Sequence, residues 1–223
     1  MLETIEINPN NNPANASVIW LHGLGTSGND FVDIIPEMCF PKNLAIRFIF
    51  PHAPFRQVTF AHKTPMRAWF DIAGLDESTA NYDEAGIYES QRLIDELIEQ
   101  EIERGIPSDK IVLAGFSQGG SIALHTGLRY PKKLAGILAL STFLPLANKL
   151  ALEKNIANQN TKIAMFHGNE DHVIAINWAK KSHENLKALG FQVEWHVYSM
   201  HHTVCIEEIK AIEQWLIAIL ENM

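Results

Sequence analysis

The run IVLAGFSQGGSIAL at residues 111–124 constrains the fold of this chain more than any other stretch. Four apolar residues in a row suit a short strand buried on both faces, and a small-residue segment of helical character follows with no polar linker between them. Ser117 stands at the junction, with Gly115 and Gly119 two residues to either side. That G-x-S-x-G spacing describes a tight strand-to-helix turn that holds a serine hydroxyl in the open. Side chains at the flanking positions would collide as the chain reverses, and glycine has none. The turn also aims a helix N-terminus at the serine, so that the backbone N–H of Gln118 can face a developing oxyanion. The pentapeptide recurs by chance in other Gly- and Ser-containing loops; the strand before it and the helix after it give it meaning.

The rest of the chain alternates strands and helices. Apolar runs at residues 17–21, 45–50, 134–140, 162–166 and 193–198 read as strands beside the one that starts at Ile111. Helical spacing marks residues 84–103, the elbow helix to about Tyr130, 174–189 and 204–220, and a further stretch at residues 30–39 is interrupted by Pro36. Such alternation predicts an α/β fold: a mostly parallel central sheet with helices on both faces. Ligands then bind beyond the carboxyl ends of the strands, where each candidate loop of this chain falls.

Two segments fit neither period. Residues 1–16 read as a polar N-terminal lead. Residues 53–75 hold Phe55, Val58, Phe60, Met66, Trp69 and Phe70 without helical or strand spacing, which suggests a lid or the wall of an acyl pocket; the competing reading is that these side chains plug the core. The glycine-rich loop His22-Gly23-Leu24-Gly25-Thr26-Ser27-Gly28 can bring backbone N–H groups against a ligand, or can be an ordinary strand-to-helix turn.

Composition excludes several classes. With 223 residues and 47% hydrophobic side chains, the chain suits a single domain with a full core. A formal net charge of −8 and the absence of a Lys/Arg cluster argue against a nucleic-acid partner. The first residues carry acids in place of a basic leader, and no stretch has the apolar length of an integral membrane segment. Cys39 and Cys205 cannot build a disulfide framework and lack metal-ligand spacing, so a reduced, cytoplasmic setting is expected.

A serine hydroxyl needs a base to accept its proton and a third group to orient that base. On an α/β-hydrolase scaffold the partners follow in the order serine, acid, histidine. Asp171 follows one late strand and His202 follows the last, with Glu170 and His201 as their adjacent rivals.

Together with the elbow, His22-Gly23-Leu24-Gly25, Phe50-Pro51-His52-Ala53-Pro54, Arg67-Ala68-Trp69-Phe70-Asp71 and the segment from His167-Gly168 to Asp171 resemble the acyl-protein thioesterase, lysophospholipase and carboxylesterase family of α/β-hydrolases. The resemblance covers nearly the whole chain, from Val18 to Leu220. It implies Ser117 as nucleophile, Asp171 as acid, His202 as base, and an oxyanion hole from the backbone N–H groups of Leu24 and Gln118. It implies hydrolysis of carboxylic esters or thioesters without metal or organic cofactor, and a possible homodimer. The leading expectation is a serine carboxylesterase of lysophospholipase type; the alternative is an acyl-protein thioesterase that removes palmitoyl groups from proteins. A non-catalytic binding module on the same scaffold would be expected to lack a triad member, and none is missing here. Related sequences often carry glycine where this chain has His201. Met66, Trp69, Phe70, Phe143 and Leu144 are the candidate substrate-binding residues, and His22, His52 and His167 are expected to bond their rings to backbone. The cluster of His167, Asp171, His172, His201 and His202 invites a metal reading, but no HExxH-type ligand pair is present and no metal is expected.

Overall fold

A computed structural model describes residues 2–9 and 12–221. Seven strands form its main sheet: β1 (Thr4–Ile7), β2 (Ala16–Leu21), β3 (Ile46–Pro51), β6 (Ile111–Phe116), β7 (Gly136–Leu140), β8 (Lys162–Gly168) and β9 (Val193–Tyr198), in the order β1-β3-β2-β6-β7-β8-β9. Every pair is parallel except β1 with β3. Two short strands, β4 (Phe55–Val58) and β5 (Thr64–Arg67), pair antiparallel as a separate hairpin. The helices are α1 (Glu84–Glu103), α2 (Gln118–Gly127), α3 (Ala147–Glu153), α4 (Ile176–Ala188) and α5 (Ile206–Glu221).

The central strands are apolar on both faces because both faces are covered. Ile19, Leu21, Leu113, Ile137 and Ile163 point into one core with residues of α1, α2 and α4, such as Ile94, Ile122 and Leu186. Their neighbours Val18, Trp20, Val112, Ala114 and Leu138 point into the other, against Phe31 and Ile35 and the α5 residues Ile209, Ile212 and Leu216. The chain leaves β2 toward β3 on one side and later leaves β6 toward β7 on the other. The loops after β2 and β6 therefore part, and a crevice opens between their carboxyl ends.

The α/β architecture expected from the sequence is present, with three differences in detail. The polar lead contains β1, which pairs with β3 from Thr4↔Pro51 to Ile7↔Phe48; its single apolar alternation at Ile5 and Ile7 is too short to announce a strand without its partner. Met1, Asn10 and Asn11 of that lead lie outside the described residues. The aperiodic segment 53–75 contains the β4–β5 hairpin, whose strands are short, largely exposed and interrupted by Pro65. Residues Gly28–Glu37 form 3-10 turns in place of an α-helix, capped by Ser27 and Asp30 in a capping box and carrying Pro36, which has no N–H to donate. Among the described residues no helix is long and apolar enough to cross a membrane.

Candidate active site

The turn after β6 is built as its glycines require. Ser117 has φ 53° and ψ −122°, a backbone conformation that L-residues rarely adopt. A Cβ on Gly115 would lie 2.4 Å from the carbonyl oxygen of Gly119, and one on Gly119 would lie 2.3 Å from that of Leu21. The strained turn is tied down from two sides. Ser117 N–H donates to Leu140 O at 2.8 Å and Thr142 Oγ1 donates to Ser117 O at 2.6 Å.

Loops after β8 and β9 meet this turn. Gly168 lets them close: a Cβ there would lie 2.2 Å from Met200 O. Glu170 N–H donates to Met200 O at 3.1 Å and Asn169 N–H to Tyr198 O at 2.9 Å, so the two loops run as one unit. On them, His202 Nδ1 lies 2.7 Å from Asp171 Oδ2 and His202 Nε2 lies 2.9 Å from Ser117 Oγ. The Phe116 ring packs against the His202 ring with centroids 4.7 Å apart. With Nδ1–H donating to the carboxylate, Nε2 presents its lone pair to the serine hydroxyl.

Asp171 is buried, and burial works against its charge. The hydrogen bond and the charge of His202 outweigh this, together with Val173 N–H and Ile174 N–H, which donate to Oδ1 at 2.8 and 2.9 Å. The carboxyl is held below the usual carboxylate range and stays ionised at neutral pH. His167 Nε2 lies 3.5 Å from the same carboxylate and 2.8 Å from Ile174 O. Burial lowers the His167 pKa, so this imidazole is neutral beside the carboxylate.

The rivals point elsewhere. Glu170 Oε1 accepts from Ser199 Oγ at 2.8 Å, and His201 Nδ1 lies 2.9 Å from Glu170 O with its side chain 68% exposed. Of the two adjacent histidines, the structure brings His202 to the serine.

Leu24 follows Gly23, whose Cβ, if it had one, would sit 3.6 Å from Ser117 Cβ. The loop is pinned by Gly25 N–H donating to Arg67 O at 2.9 Å and by His22, whose Nε2 accepts from Ala53 N–H at 3.0 Å. Burial pushes the His22 imidazole down to about 4, which keeps it neutral in this role. His52 Nδ1 likewise accepts from Gly28 N–H at 3.1 Å. Gln118 opens α2, where a backbone N–H has no intrahelical acceptor.

The side chain of Gln118 has a function that the motif does not reveal. Its Oε1 accepts from Trp69 N–H and its Nε2 donates to Phe70 O, both at 2.8 Å. Trp69 and Phe70 are fully buried, and Trp69 Nε1–H donates to His22 O at 2.9 Å. These two rings, candidate substrate-binding residues from the sequence, are core side chains that tie the loop after β2 to the elbow. Met66 is partly buried and lies close to Gly25. Phe143 is buried and stacks on Trp178 at 3.8 Å between centroids, with Tyr82 stacked beside both. Leu144 lines a cavity of about 760 Å³ together with Tyr82, Leu146, Ala147 and Trp178. No sequence signal singles out Trp178, on α4, or Tyr82, just before α1. Among the described residues no group of three or more His, Cys, Asp or Glu side chains is placed to hold a metal ion.

A doubly covered parallel sheet with a serine on a strained β6–α2 turn, facing loops from the last two strands, defines an α/β-hydrolase. The family model described as Phospholipase/Carboxylesterase matches residues 2–220, and the chain belongs to that family, whose members hydrolyse ester-type acyl bonds. Acyl-protein thioesterase 1 of Neurospora crassa is 40% identical over 209 residues, covering 90% of this chain and 85% of that protein. Among solved structures, Arabidopsis thaliana SOBER1 superposes with a TM-score of 0.88 at 30% identity over 93% of this chain and 100% of its own. Acyl-protein thioesterase 2 of Zea mays superposes with a TM-score of 0.86 at 29% identity over 99% and 100%.

Proposed function

We propose that this hydrolase cleaves acyl thioesters, with acylated proteins as the substrate class, through Ser117, His202 and Asp171. One observation carries the reading: the unbroken line of hydrogen-bond distances from Ser117 Oγ through His202 to Asp171. His202 Nε2 takes the serine proton as Oγ attacks the acyl carbonyl, and the imidazolium is stabilised by ionised Asp171. The negative charge that develops on the carbonyl oxygen is received by the N–H groups of Leu24 and Gln118. His202 returns the proton to the leaving thiol, and the acyl group remains on Ser117 as an ester. Water, deprotonated by the same imidazole, then frees the carboxylic acid and restores the serine.

The thioester is preferred over the simple ester because relatives over nearly the whole chain bear the name acyl-protein thioesterase. The second reading, a carboxylesterase or lysophospholipase, is favoured by the description of the family itself. A cytoplasmic setting and a homodimer belong to the same proposal.

A fluorophosphonate probe is expected to label the protein at Ser117 alone. A palmitoylated peptide, an acyl-CoA and a chain-length series of acyl nitrophenyl esters, compared by kcat/KM, then choose between the two readings. Preference for the peptide thioester supports the first and preference for a short ester supports the second; absence of both labelling and hydrolysis ends the proposal.

A further inference from the structure

One buried polar side chain beside the line of Ser117, His202 and Asp171 is taken up by no step of the mechanism: His167, whose side chain is 1% exposed. We propose that His167 is a positioning residue, which holds the loop that carries Asp171 and thereby keeps the carboxylate aimed at His202. This role rests on the assignment of Ser117, His202 and Asp171 made above.

His167 stands near the end of β8. Two and four residues earlier on that strand, Met165 and Ile163 pack into the core beside α1, α2 and α4. A position that served packing alone would be apolar here as well, since a buried imidazole costs free energy that its contacts must offset. Its Nε2 makes such a contact. It lies 2.8 Å from Ile174 O, which can only accept, so the proton is on Nε2. The buried Nδ1 has no hydrogen-bond partner among the described residues; a second proton there would be an unpaired buried donor, and the ring stays neutral. The Trp195 ring flanks the imidazole, 17° from parallel with centroids 6.2 Å apart.

Ile174 couples this bond to the carboxylate. Its carbonyl accepts from His167 Nε2–H, and its own N–H donates to Asp171 Oδ1 at 2.9 Å, beside Val173 N–H at 2.8 Å. The chain leaves β8 at Gly168, passes Asp171 and comes back to His167 at Ile174, so the bond from His167 to Ile174 closes the loop across its base. With Oδ1 held by two backbone donors, Oδ2 is directed to His202 Nδ1 at 2.7 Å. His167 Nε2 lies 3.5 Å from that same Oδ2, too far to compete with His202 for it and near enough for the N–H dipole to steady its charge. Without the imidazole, Ile174 O loses its donor and the loop is free to relax, which moves the carboxylate relative to His202. A misplacement of about 1 Å in such a constellation can cost about a hundredfold in rate. Substrate binding is spared, because the buried imidazole meets the carboxylate, two groups removed from the serine hydroxyl.

The test compares kcat and KM for nitrophenyl ester hydrolysis by the full chain and by His167→Leu, His167→Asn and His167→Gln, with melting temperatures as a check on folding. His167→Asn is also combined with Asp171→Asn. A glutamine can place its amide N–H where Nε2 stands, whereas the shorter asparagine reaches only to the place of Nδ1. The leucine and asparagine variants are expected to lose about a hundredfold in kcat with KM unchanged, and the glutamine variant to stay within about tenfold of the parent. In the Asp171→Asn background, His167→Asn is expected to cost no more than about twofold further, because a residue that acts through the Asp171 carboxylate then has nothing left to orient. Parental kcat in folded His167→Asn, a loss confined to KM, a glutamine variant no better than the asparagine one, or a full further loss in the double variant each overturns the role. Should His167→Leu fail to fold, the contrast between glutamine and asparagine decides the same question. Parental turnover in Asp171→Asn alone is a different failure: it removes the acid assigned above, and the role of His167 with it.

Discussion

Ser117 is held at a positive φ, which costs an L-residue on the order of 1–3 kcal/mol, and the cost is borne because the turn lifts the hydroxyl toward His202. With Ser117 as the proposed nucleophile, removing that hydroxyl in Ser117→Ala should lower turnover by about three to six orders of magnitude with fluorophosphonate labelling lost. The histidines separate cleanly: His202→Ala should be inactive and His201→Ala close to parental, and the reverse pattern in a steady-state assay would replace the base assigned here. Asp171→Asn leaves the shape but removes the charge that fixes the His202 tautomer. It should cost about three to four orders of magnitude in kcat. Because His202 and two backbone N–H groups hold Asp171 below the usual carboxylate range, its own protonation should not shape the activity profile near neutral pH.

Among the elements, the β6–α2 turn tolerates least. A methyl at Gly119 would drive into the carbonyls of Leu21 and His22, 2.3 and 2.5 Å from the added carbon, so Gly119→Ala must push β2 from β6 or distort the elbow. The expected outcome is a protein with lowered melting temperature and loss of probe labelling out of proportion to that loss of stability. The Gln118 side chain joins the elbow to the 69–70 loop. Gln118→Ala would leave the buried Trp69 N–H and Phe70 O without their partner, at about 1–3 kcal/mol for each group left unpaired. Chemical denaturation measures that cost, and kcat reports whether the loop proposed to hold the oxyanion has moved with it.

For the whole molecule, stability carries a pH dependence set by α5. Glu208 is fully buried in the first turn of that helix, and neither carboxylate oxygen has a hydrogen-bond partner of good geometry. Burial pushes its pKa from 4.5 up to about 8. The native state therefore keeps a proton that the unfolded chain releases, so the contribution is complete below about 4.5 and is lost as pH rises to about 8. Over that window the linkage is on the order of 5 kcal/mol, taking about 1.4 kcal/mol per pKa unit. Glu208→Gln should flatten the fall of melting temperature between pH 5 and 8, to be measured by calorimetry at several pH values; an unchanged slope would locate the effect elsewhere.

Much of this architecture was readable one residue after another. Continuous apolar runs such as Ile111 to Ala114 mark strands buried on both faces because burial leaves no room for alternation. Gly115, Ser117 and Gly119 announce the elbow because only glycine fits where backbone meets backbone. Asp171 and His202 could be singled out from their places after late strands and from family resemblance, but their distances to Ser117 could not, since residues 85 apart in sequence are joined only by folding. The same limit hid β1, which is a strand only by virtue of β3. It also left Trp69 and Phe70 open between acyl pocket and core, because an aromatic side chain looks alike in a sequence whether it lines a groove or fills a core. What the chain determined by itself is local: turn sterics, periodicity and the types of reactive group. What only the tertiary structure decided is which of those groups face one another, because contact between distant residues is a property of packed elements and has no signature in any single segment.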